Sequence, residues 1–331
     1  MKIRIVGGGW YGCHIAKALL DLGHRVELWE VGEQLFSGAS GANPARLHQG
    51  FHYPRSRLTR AACLGHADEF MERYGGFTRA VPINLYCVAA HDSLVDFGNY
   101  VQTLRGEVEF VRVRYPGEFG LDAALVEGAV LTGERHIVIR HVRDWFAGAL
   151  DGHVRFGARP DVLGSSRFDW TIDCTFCAYD ELAIDRFEPC ITGLLRGRTD
   201  MAVTIMDGPF PSIYPWDEEK GLCSVTSAAL TPLSKTCRSW AEAHAVLQHT
   251  SDEQALERVS AMQTQIAAFW PKAAEFEIAG AMRSIRAMPR SGADARLVDV
   301  VQTGERVLRI RAGKIDAIFA AERLVLERIE A

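Results

Sequence analysis

Residues 1–30 read MKIRIVGGGWYGCHIAKALLDLGHRVELWE, and they decide the fold class. An apolar strand-like run from Ile3 to Val6 leads into three consecutive glycines and a helix-like stretch from Tyr11 to Leu22. A second strand-like run, Arg25 to Trp29, follows. This order is typical of a β-α-β unit, the building block of parallel sheets covered by helices. The sequence therefore predicts an α/β protein.

The turn between the first strand and the helix carries Gly7, Gly9 and Gly12. In this G-x-G-x-x-G spacing the first glycine permits a tight turn, the second lets a pyrophosphate approach the backbone, and the third lets helix and strand pack closely. The helix N-terminus then offers free N–H groups to phosphates. Eighteen positions after Gly12, Glu30 closes the second strand, where a carboxylate can accept hydrogen bonds from both ribose hydroxyls of an adenosine. The pattern predicts a dinucleotide cofactor, and the acid disfavours the 2′-phosphate of NADP.

The segments that follow Glu30 favour FAD over NAD. A simple NAD dehydrogenase usually continues with alternating strands and helices. Here residues 37–46 instead form a loop of small residues, SGASGANPAR, which lets the backbone approach the second half of a long cofactor. A late strand-glycine-helix element, RVLRIRAGKIDAIFAAERL at residues 306–324, is expected to return the chain to the same cofactor.

The order of the remaining elements predicts two discontinuous domains. Strand-like runs and helical stretches alternate in three α/β pieces, which two β-rich pieces interrupt. One long helix is predicted from Trp240 to Phe269, before Pro271. We expect a cofactor domain formed by residues 1–78, 137–185 and 280–331, and a substrate domain formed by residues 79–136 and 186–279.

Four segments resemble, in sequence and in order, the FAD-dependent oxidoreductases of the D-amino-acid oxidase and glycine oxidase superfamily. They are IVGGGWYGCHIAKALLDLGHRVELWE, the small-residue loop, FDWTIDCTF and RIRAGKIDAIFAAERL, at residues 5–30, 37–46, 168–176 and 309–324. The resemblance implies an FAD-binding Rossmann domain of the glutathione-reductase type. It also implies a substrate domain, built from an antiparallel β-sheet plus helices, that covers the flavin.

The resemblance also implies which residues hold FAD. The ADP half is expected at Gly7, Gly9, Gly12 and Glu30; the pyrophosphate and flavin along Ser40, Asn43, Ala45 and Arg46; and the pyrimidine edge of the isoalloxazine near Gly313, Lys314 and Ile315. The last group has an independent physical reason. A hydride that arrives at flavin N5 leaves negative charge around N1 and O2, which a helix N-terminus and an ammonium group stabilise. The alternative for Lys314 is a side chain on the solvent face.

The superfamily resemblance further implies an arginine that clamps a substrate carboxylate through two parallel hydrogen bonds. The expected segment is residues 280–297, GAMRSIRAMPRSGADARL, in which Arg283, Arg286 and Arg290 compete for this role. Arg283 is the first choice, and any of the three could instead be a surface charge. Tyr214, on a predicted strand, could close the substrate pocket or simply pack there.

The segment ARLHQGFHYPRS, residues 45–56, places His48 and His52 just after the small-residue loop. Two histidines there could act as general acid and base, attach the flavin covalently through His48, or hydrogen-bond backbone and phosphate groups. No carboxylate or third histidine at ligand spacing supports a metal, so none is expected. The pair also resembles the H-x-x-x-H segment of UDP-galactopyranose mutase. A sugar-nucleotide-processing flavoprotein is therefore the alternative function.

Composition excludes several other classes of protein. The 331 residues are 48% hydrophobic and 24% charged, as in compact globular proteins. The net charge of −5 leaves no basic field for nucleic acid. We found no apolar run of the roughly 20 residues that cross a bilayer and no secretory leader pattern, so a cytoplasmic protein is expected. The eight cysteines are scattered and expected to be reduced, and Cys174-x-x-Cys177 lacks the second pair of ligands that zinc needs.

These features together predict an FAD-dependent oxidoreductase that acts on a small molecule. We expect it to oxidise a C–N bond of an amine or amino acid by hydride transfer to flavin N5. A monooxygenase ranks lower, because we found no second GD-type motif of the kind expected for aromatic hydroxylases of this fold. The sequence leaves the substrate, the electron acceptor and the oligomeric state open.

Overall fold

The computed structural model describes residues 1–179, 184–289, 298–311 and 314–330. The described helices are α1 to α7, at Trp10–Asp21, Arg57–Tyr74, Phe97–Leu104, Ile139–Ala149, Trp240–His249, Asp252–Phe269 and Ile318–Glu330. The described strands are β1 to β17, at Lys2–Val6, Arg25–Trp29, Arg46–Leu47, Thr78–Ala80, Ile83–Ala89, Phe110–Arg112, Val126–Thr132, Arg135–Ile137, Val154–Arg155, Trp170–Asp173, Ile184–Arg196, Met201–Met206, Pro211–Asp217, Leu222–Ser227, Glu277–Pro289, Asp299–Gly304 and Val307–Arg311. None of the described helices is both long enough and apolar enough to span a bilayer.

The first sheet has six strands in the order β16-β17-β10-β1-β2-β9. β1 pairs in parallel with β2 on one side and β10 on the other, and only β16 runs antiparallel to its neighbour. Ile3, Ile5 and Leu28 are fully buried in the core beneath α1 and α7. This confirms the predicted α/β fold class with its opening β-α-β unit.

The second sheet has eight strands in the order β15-β11-β14-β13-β12-β5-β7-β6. All its pairs are antiparallel except β5 with β12. One face packs against α6, where Ile191 and Val225 meet Val259. The opposite face carries polar side chains that are nevertheless buried: Asn84, Tyr86, Thr204, Ser212 and Tyr214.

A small third sheet lies between the six-stranded and the eight-stranded sheet. Its central strand β8 pairs with β3, which ends the small-residue loop, and with β4. Because β7 runs directly into β8, the turn around Glu134 belongs to both the eight-stranded and the three-stranded sheet. This connection brings residues just after the loop next to the polar face of the large sheet.

One predicted element differs from the structure, and one predicted domain boundary falls within a strand. The single helix predicted from Trp240 to Phe269 is wrong: α5 ends at His249, and α6 begins at Asp252. The side chain of Ser251 accepts a hydrogen bond from Gln254 N, and Gln254 returns one to Ser251 N, which is a capping box that starts a new helix. The predicted boundary at residue 280 also falls inside β15, which pairs with β11 along its whole length. We propose that the substrate domain extends to residue 289.

Buried His136 gives the fold a specific pH dependence. Its side chain is fully buried, and burial lowers its pKa to about 4. An unfolded histidine titrates near 6.5, so the unfolded chain binds the extra proton first. Stability is therefore full above about pH 6.5, and up to about 3 kcal/mol is lost as the pH falls towards 4. Urea unfolding across this range should give a shallower pH slope for His136→Leu, whereas exposed His91→Gln should keep the wild-type slope.

Candidate active site

The glycine turn is shaped so that side chains are excluded from it. Gly7 has φ of +102°, in the region that favours glycine. A Cβ at Gly12 would lie 1.8 Å from the carbonyl oxygen of Gly7, and one at Gly9 would lie 2.6 Å from Ser40 Oγ. Gly9 caps α1 without a side-chain hydrogen bond. The turn thus presents bare backbone and the N-terminus of a buried helix, the arrangement that binds phosphate groups.

Glu30 lies beside this turn and is buried. Its Oε2 accepts a hydrogen bond from Gly8 N at 2.6 Å, and its Oε1 accepts from Gly32 N at 2.8 Å and Ser37 Oγ at 3.0 Å. An ionised carboxylate has about four acceptor positions, so these bonds fix its orientation and leave capacity for a hydroxyl group. The structure therefore brings Glu30 and the three glycines together.

The small-residue loop is held by its own polar side chains. Ser40 Oγ accepts from Trp10 N at 3.0 Å, which fastens the loop to the start of α1. Asn43 Nδ2 donates to the carbonyls of Ala39 and Ser40, and Asn43 Oδ1 accepts from Ala45 N at 2.7 Å. These bonds support Ala45 in a left-handed conformation, with φ of +53°. Asn43 thus acts through the loop's shape, and the loop passes next to the glycine turn.

Arg46 points away from the loop into the polar face of the large sheet. Its guanidinium donates to Thr204 Oγ1 and Ser212 Oγ, both at 2.7 Å, and lies 4.4 Å from the ring centroid of Tyr214. Tyr214 Oη accepts a hydrogen bond from Asn84 Nδ2 at 3.1 Å. Arg46 and Tyr214 therefore form one buried polar wall across the interface of the two layers.

His48 lies between this wall and the C-terminal segment. Its Nδ1 is 3.5 Å from Oε1 of Glu134. Its ring centroid is 5.9 Å from those of His52 and Tyr53, and His52 itself is exposed. The two predicted histidines are thus neighbours, with His48 partly buried and His52 at the surface.

Lys314 is buried, which rules out the solvent-face alternative. Its ammonium contacts Cys63 Sγ and lies 3.8 Å from the ring centroid of Tyr53. Burial works against the charge, but Tyr53, Asp316 and Cys63 together raise the pKa of Lys314, so the ammonium form persists. Tyr11 Oη donates to the Lys314 carbonyl at 2.5 Å, which joins the C-terminal segment to α1. Ile315 follows at the start of a short 3₁₀ helix, and Gly313 lies outside the described residues.

The three candidate arginines have different positions. Arg283 is in register with Ile191 on the helix-covered face, and it donates to Asp252 Oδ1 at 2.7 Å and to the Thr250 carbonyl. The structure does not bring it to His48. Arg290 lies outside the described residues.

Arg286 lies on the other face of β15, opposite buried Glu188, with which it forms a close ion pair. Burial disfavours its charge, but Cys190, Glu188 and Tyr53 raise the pKa of Arg286. Tyr53, which lies against Lys314, is thus also an electrostatic neighbour of Arg286. Arg286 is therefore a candidate for a substrate-facing role, while Arg283 lines the cleft beside the small-residue loop.

Comparisons with known proteins agree with this geometry. The sequence profile of the FAD-dependent oxidoreductase family DAO matches residues 2–153. The chain is 33% identical to FAD-dependent monooxygenase FPY4 of Fusarium mangiferae over 341 residues, which cover 99% of this chain and 91% of that protein. The chain belongs to the DAO family of FAD-dependent oxidoreductases. Its cofactor is FAD.

Solved structures of DAO-type flavoproteins share the whole fold. Glycine oxidase from Geobacillus kaustophilus has a TM-score of 0.68 at 18% identity, with coverage of 99% of this chain and 94% of that one. L-α-glycerophosphate oxidase from Mycoplasma pneumoniae, solved with FAD bound, has a TM-score of 0.72 at 13% identity, with coverage of 100% and 94%. At these identities the likeness establishes the FAD-binding Rossmann fold with its sheet-and-helix second domain.

The residues of this DAO member fit FAD. In the glycine turn, a Cβ at Gly9 or Gly12 would occupy the space beside the backbone. The turn adjoins Glu30, whose carboxylate suits the hydroxyl groups of a ribose. Further along, buried Arg46 Nε, His66 Nδ1 and Asp316 Oδ2 have no hydrogen-bond partner among the described residues. An open cleft of about 320 Å³ between the small-residue loop and the large sheet includes Ser37, Ala42, Trp216 and Met282 in its lining. Bare backbone at one end and unsatisfied polar atoms at the other suit a long, polar cofactor.

Glu134 and Asp316 are candidate site residues that sequence reasoning missed. Both carboxylates are buried and interact with His48. Burial raises the pKa of Asp316, against the opposing influence of Lys314, His48 and His66. For Asp316, its position two residues after Lys314 was a usable signal. Glu134 gave none, because only the pairing of β3 with β8 brings it to His48.

Proposed function

We propose that this flavoenzyme oxidises a C–N bond of a small amine or amino acid. The observation that carries the proposal is the buried, charged Lys314 against Tyr53, a ring that neighbours His48 and also acts on Arg286. Such a site can hold an anionic group and stabilise charge that develops during oxidation. The name of glycine oxidase, a protein of the same fold, is consistent with this substrate class.

FAD, when bound, supplies the oxidising chemistry by accepting a hydride at N5. The chain's own residues bind, orient and exclude water. Gly7, Gly9, Gly12 and Glu30 would hold the ADP half, with the loop from Ser40 to Arg46 beside the pyrophosphate and flavin. Lys314 would place its ammonium at the electron-rich pyrimidine edge, and Ile315 would follow it. The wall of Arg46 and Tyr214 keeps water out of this interface.

Oxidation of a C–OH bond is the second candidate, and the contact between His48 and Glu134 favours it. A hydroxyl group must lose its proton as the carbon loses hydride, whereas a neutral amine needs no base. The name of L-α-glycerophosphate oxidase, also of this fold, is consistent with that substrate class.

Anaerobic bleaching of the yellow flavin separates the candidate functions. Small amines and amino acids are compared with their hydroxy analogues, which share the same carbon skeleton. Bleaching by the amines supports the proposal, and bleaching by the hydroxy compounds alone supports the second candidate. Turnover of a nucleotide sugar only after dithionite reduction would indicate the mutase-like alternative. Reduction only by NADH or NADPH would indicate a monooxygenase, the activity in the name of FPY4.

The two arginines of β15 give a further prediction for a carboxylate substrate. Arg286→Met should raise KM about 10-fold to 100-fold, because a charge-assisted hydrogen bond contributes about 1.5 to 3 kcal/mol. Glu188 keeps a partner in this variant, since Arg186 also donates to it at 2.7 Å. Arg283→Met should leave KM unchanged. A rise in KM for Arg283→Met alone would restore the original choice.

A further inference from the structure

The turn between β7 and β8 holds a carboxylate that is expensive to bury. Glu134 is only 1% exposed, and His48 is the only basic side chain within ion-pair distance among the described residues. Burial of a carboxylate without a cation is strongly unfavourable. The residues around Glu134 must therefore offset this cost.

Glu134 is held rigidly by hydrogen bonds from two other elements. Its Oε1 accepts from Gln49 N at 2.7 Å, and its Oε2 accepts from Tyr86 Oη at 2.6 Å. Its own carbonyl accepts from Asn84 Nδ2 at 3.1 Å. Burial would raise the pKa of Glu134, but His48, Tyr86 and Gln49 hold it below the usual value, so the carboxylate stays ionised. A fixed anion therefore lies 3.5 Å from His48 Nδ1, a buried nitrogen for which the described residues provide no closer hydrogen-bond partner.

We propose that Glu134 is a positioning residue for His48, which it holds with Nδ1–H towards the carboxylate and Nε2 free to accept a proton from the substrate. A carboxylate that receives one ring N–H fixes the tautomer and the orientation of an imidazole. Glu134 also stabilises the imidazolium that forms when the proton arrives.

Proton transfer from the substrate to His48 accounts for every proton and electron pair in both substrate classes. An N–H bond of a substrate ammonium, or the O–H bond of a hydroxyl, breaks and its proton goes to His48 Nε2. The electron pair left on the heteroatom forms the new C=N or C=O bond as the C–H pair leaves to FAD. His48 later releases its proton to solvent, and exposed His52 lies next to it.

Every ionisable neighbour of His48 influences the pH dependence of this proton transfer. Glu134 comes from the β7–β8 turn, His52 and Tyr53 from the same loop, and Asp316 from the 3₁₀ helix after Lys314. Lys314 and His66 act on Asp316 in turn. Removal of the negative charge at Glu134 alone should make proton uptake by His48 less favourable.

Glu134→Gln in the holoenzyme tests the proposal, which rests on the proposed function. We expect flavin reduction to slow about 10-fold to 100-fold and the acid limb of its pH profile to move about one pH unit lower. Selective ¹⁵N-histidine spectra, assigned with His48→Asn, should show that His48 loses its single tautomer. Glu322→Gln is the matched control, because Glu322 lies 2.7 Å from buried His14 on the α1–α7 interface. It should change neither readout.

An unchanged pH profile and unchanged His48 tautomer in Glu134→Gln would overturn the positioning role, whether or not stability falls. Absence of bleaching by every substrate in the wild type would overturn the proposed function instead. The ¹⁵N spectra do not depend on turnover, so they test the contact between His48 and Glu134 in either case.

Discussion

Gly12→Ala is expected to yield a protein without bound flavin. The added Cβ would lie 1.8 Å from the Gly7 carbonyl oxygen, which is backbone and cannot turn aside. Strand and helix must then separate at the turn that binds the pyrophosphate. A displacement that costs about 3 kcal/mol weakens FAD binding by about 100-fold. The ratio of absorbance at 450 nm to that at 280 nm measures the effect directly.

Gly148→Ala is the matched control, since nothing lies within 4 Å of a Cβ at this position in α4. It should retain full flavin. Glu30→Gln covers the case in which Gly12→Ala fails to fold, because the amide keeps the volume and removes the charge. It should fold and bind FAD more weakly. Full flavin occupancy in both Gly12→Ala and Glu30→Gln would contradict the assigned ADP site.

Lys314→Met is expected to slow flavin reduction about 100-fold while the protein stays folded and yellow. Methionine fills a similar volume against Tyr53 and Cys63 but removes the buried charge. Loss of one group that stabilises developing charge typically costs a factor of this size. Anaerobic stopped-flow absorbance measures the rate.

Lys314→Arg keeps the charge and should recover part of the rate. Exposed Lys272→Met should have no effect. A wild-type rate in Lys314→Met would show that this ammonium does not act on the reaction.

The opening fold could be predicted because its signals are local. Ile3 to Glu30 combine an apolar strand, a glycine turn and a second strand within one short window, and Gly7, Gly9 and Gly12 each have a steric reason. β15 offered no such signal. It carries Arg283 on the face towards the helices and Arg286 on the other, so polar residues occur on both faces and no alternation appears.

Only those candidate site residues that lie within or next to a recognisable sequence segment could be predicted. His48 and His52 lie directly after the loop, and Lys314 lies in the returning segment, so their region was accessible from sequence. The choice between Arg283 and Arg286 depends on strand register, which sequence does not specify here. Glu134 depends on the pairing of β3 with β8, a contact between distant parts of the chain.

A crystal structure with FAD bound tests most directly whether one cofactor joins the glycine turn to the C-terminal segment. We expect density for the pyrophosphate at the N-terminus of α1, with the flavin ring against His48, Tyr53 and Lys314. Density for the flavin ring elsewhere, with Lys314 still enclosed by Tyr53 and Cys63 alone, would contradict that placement.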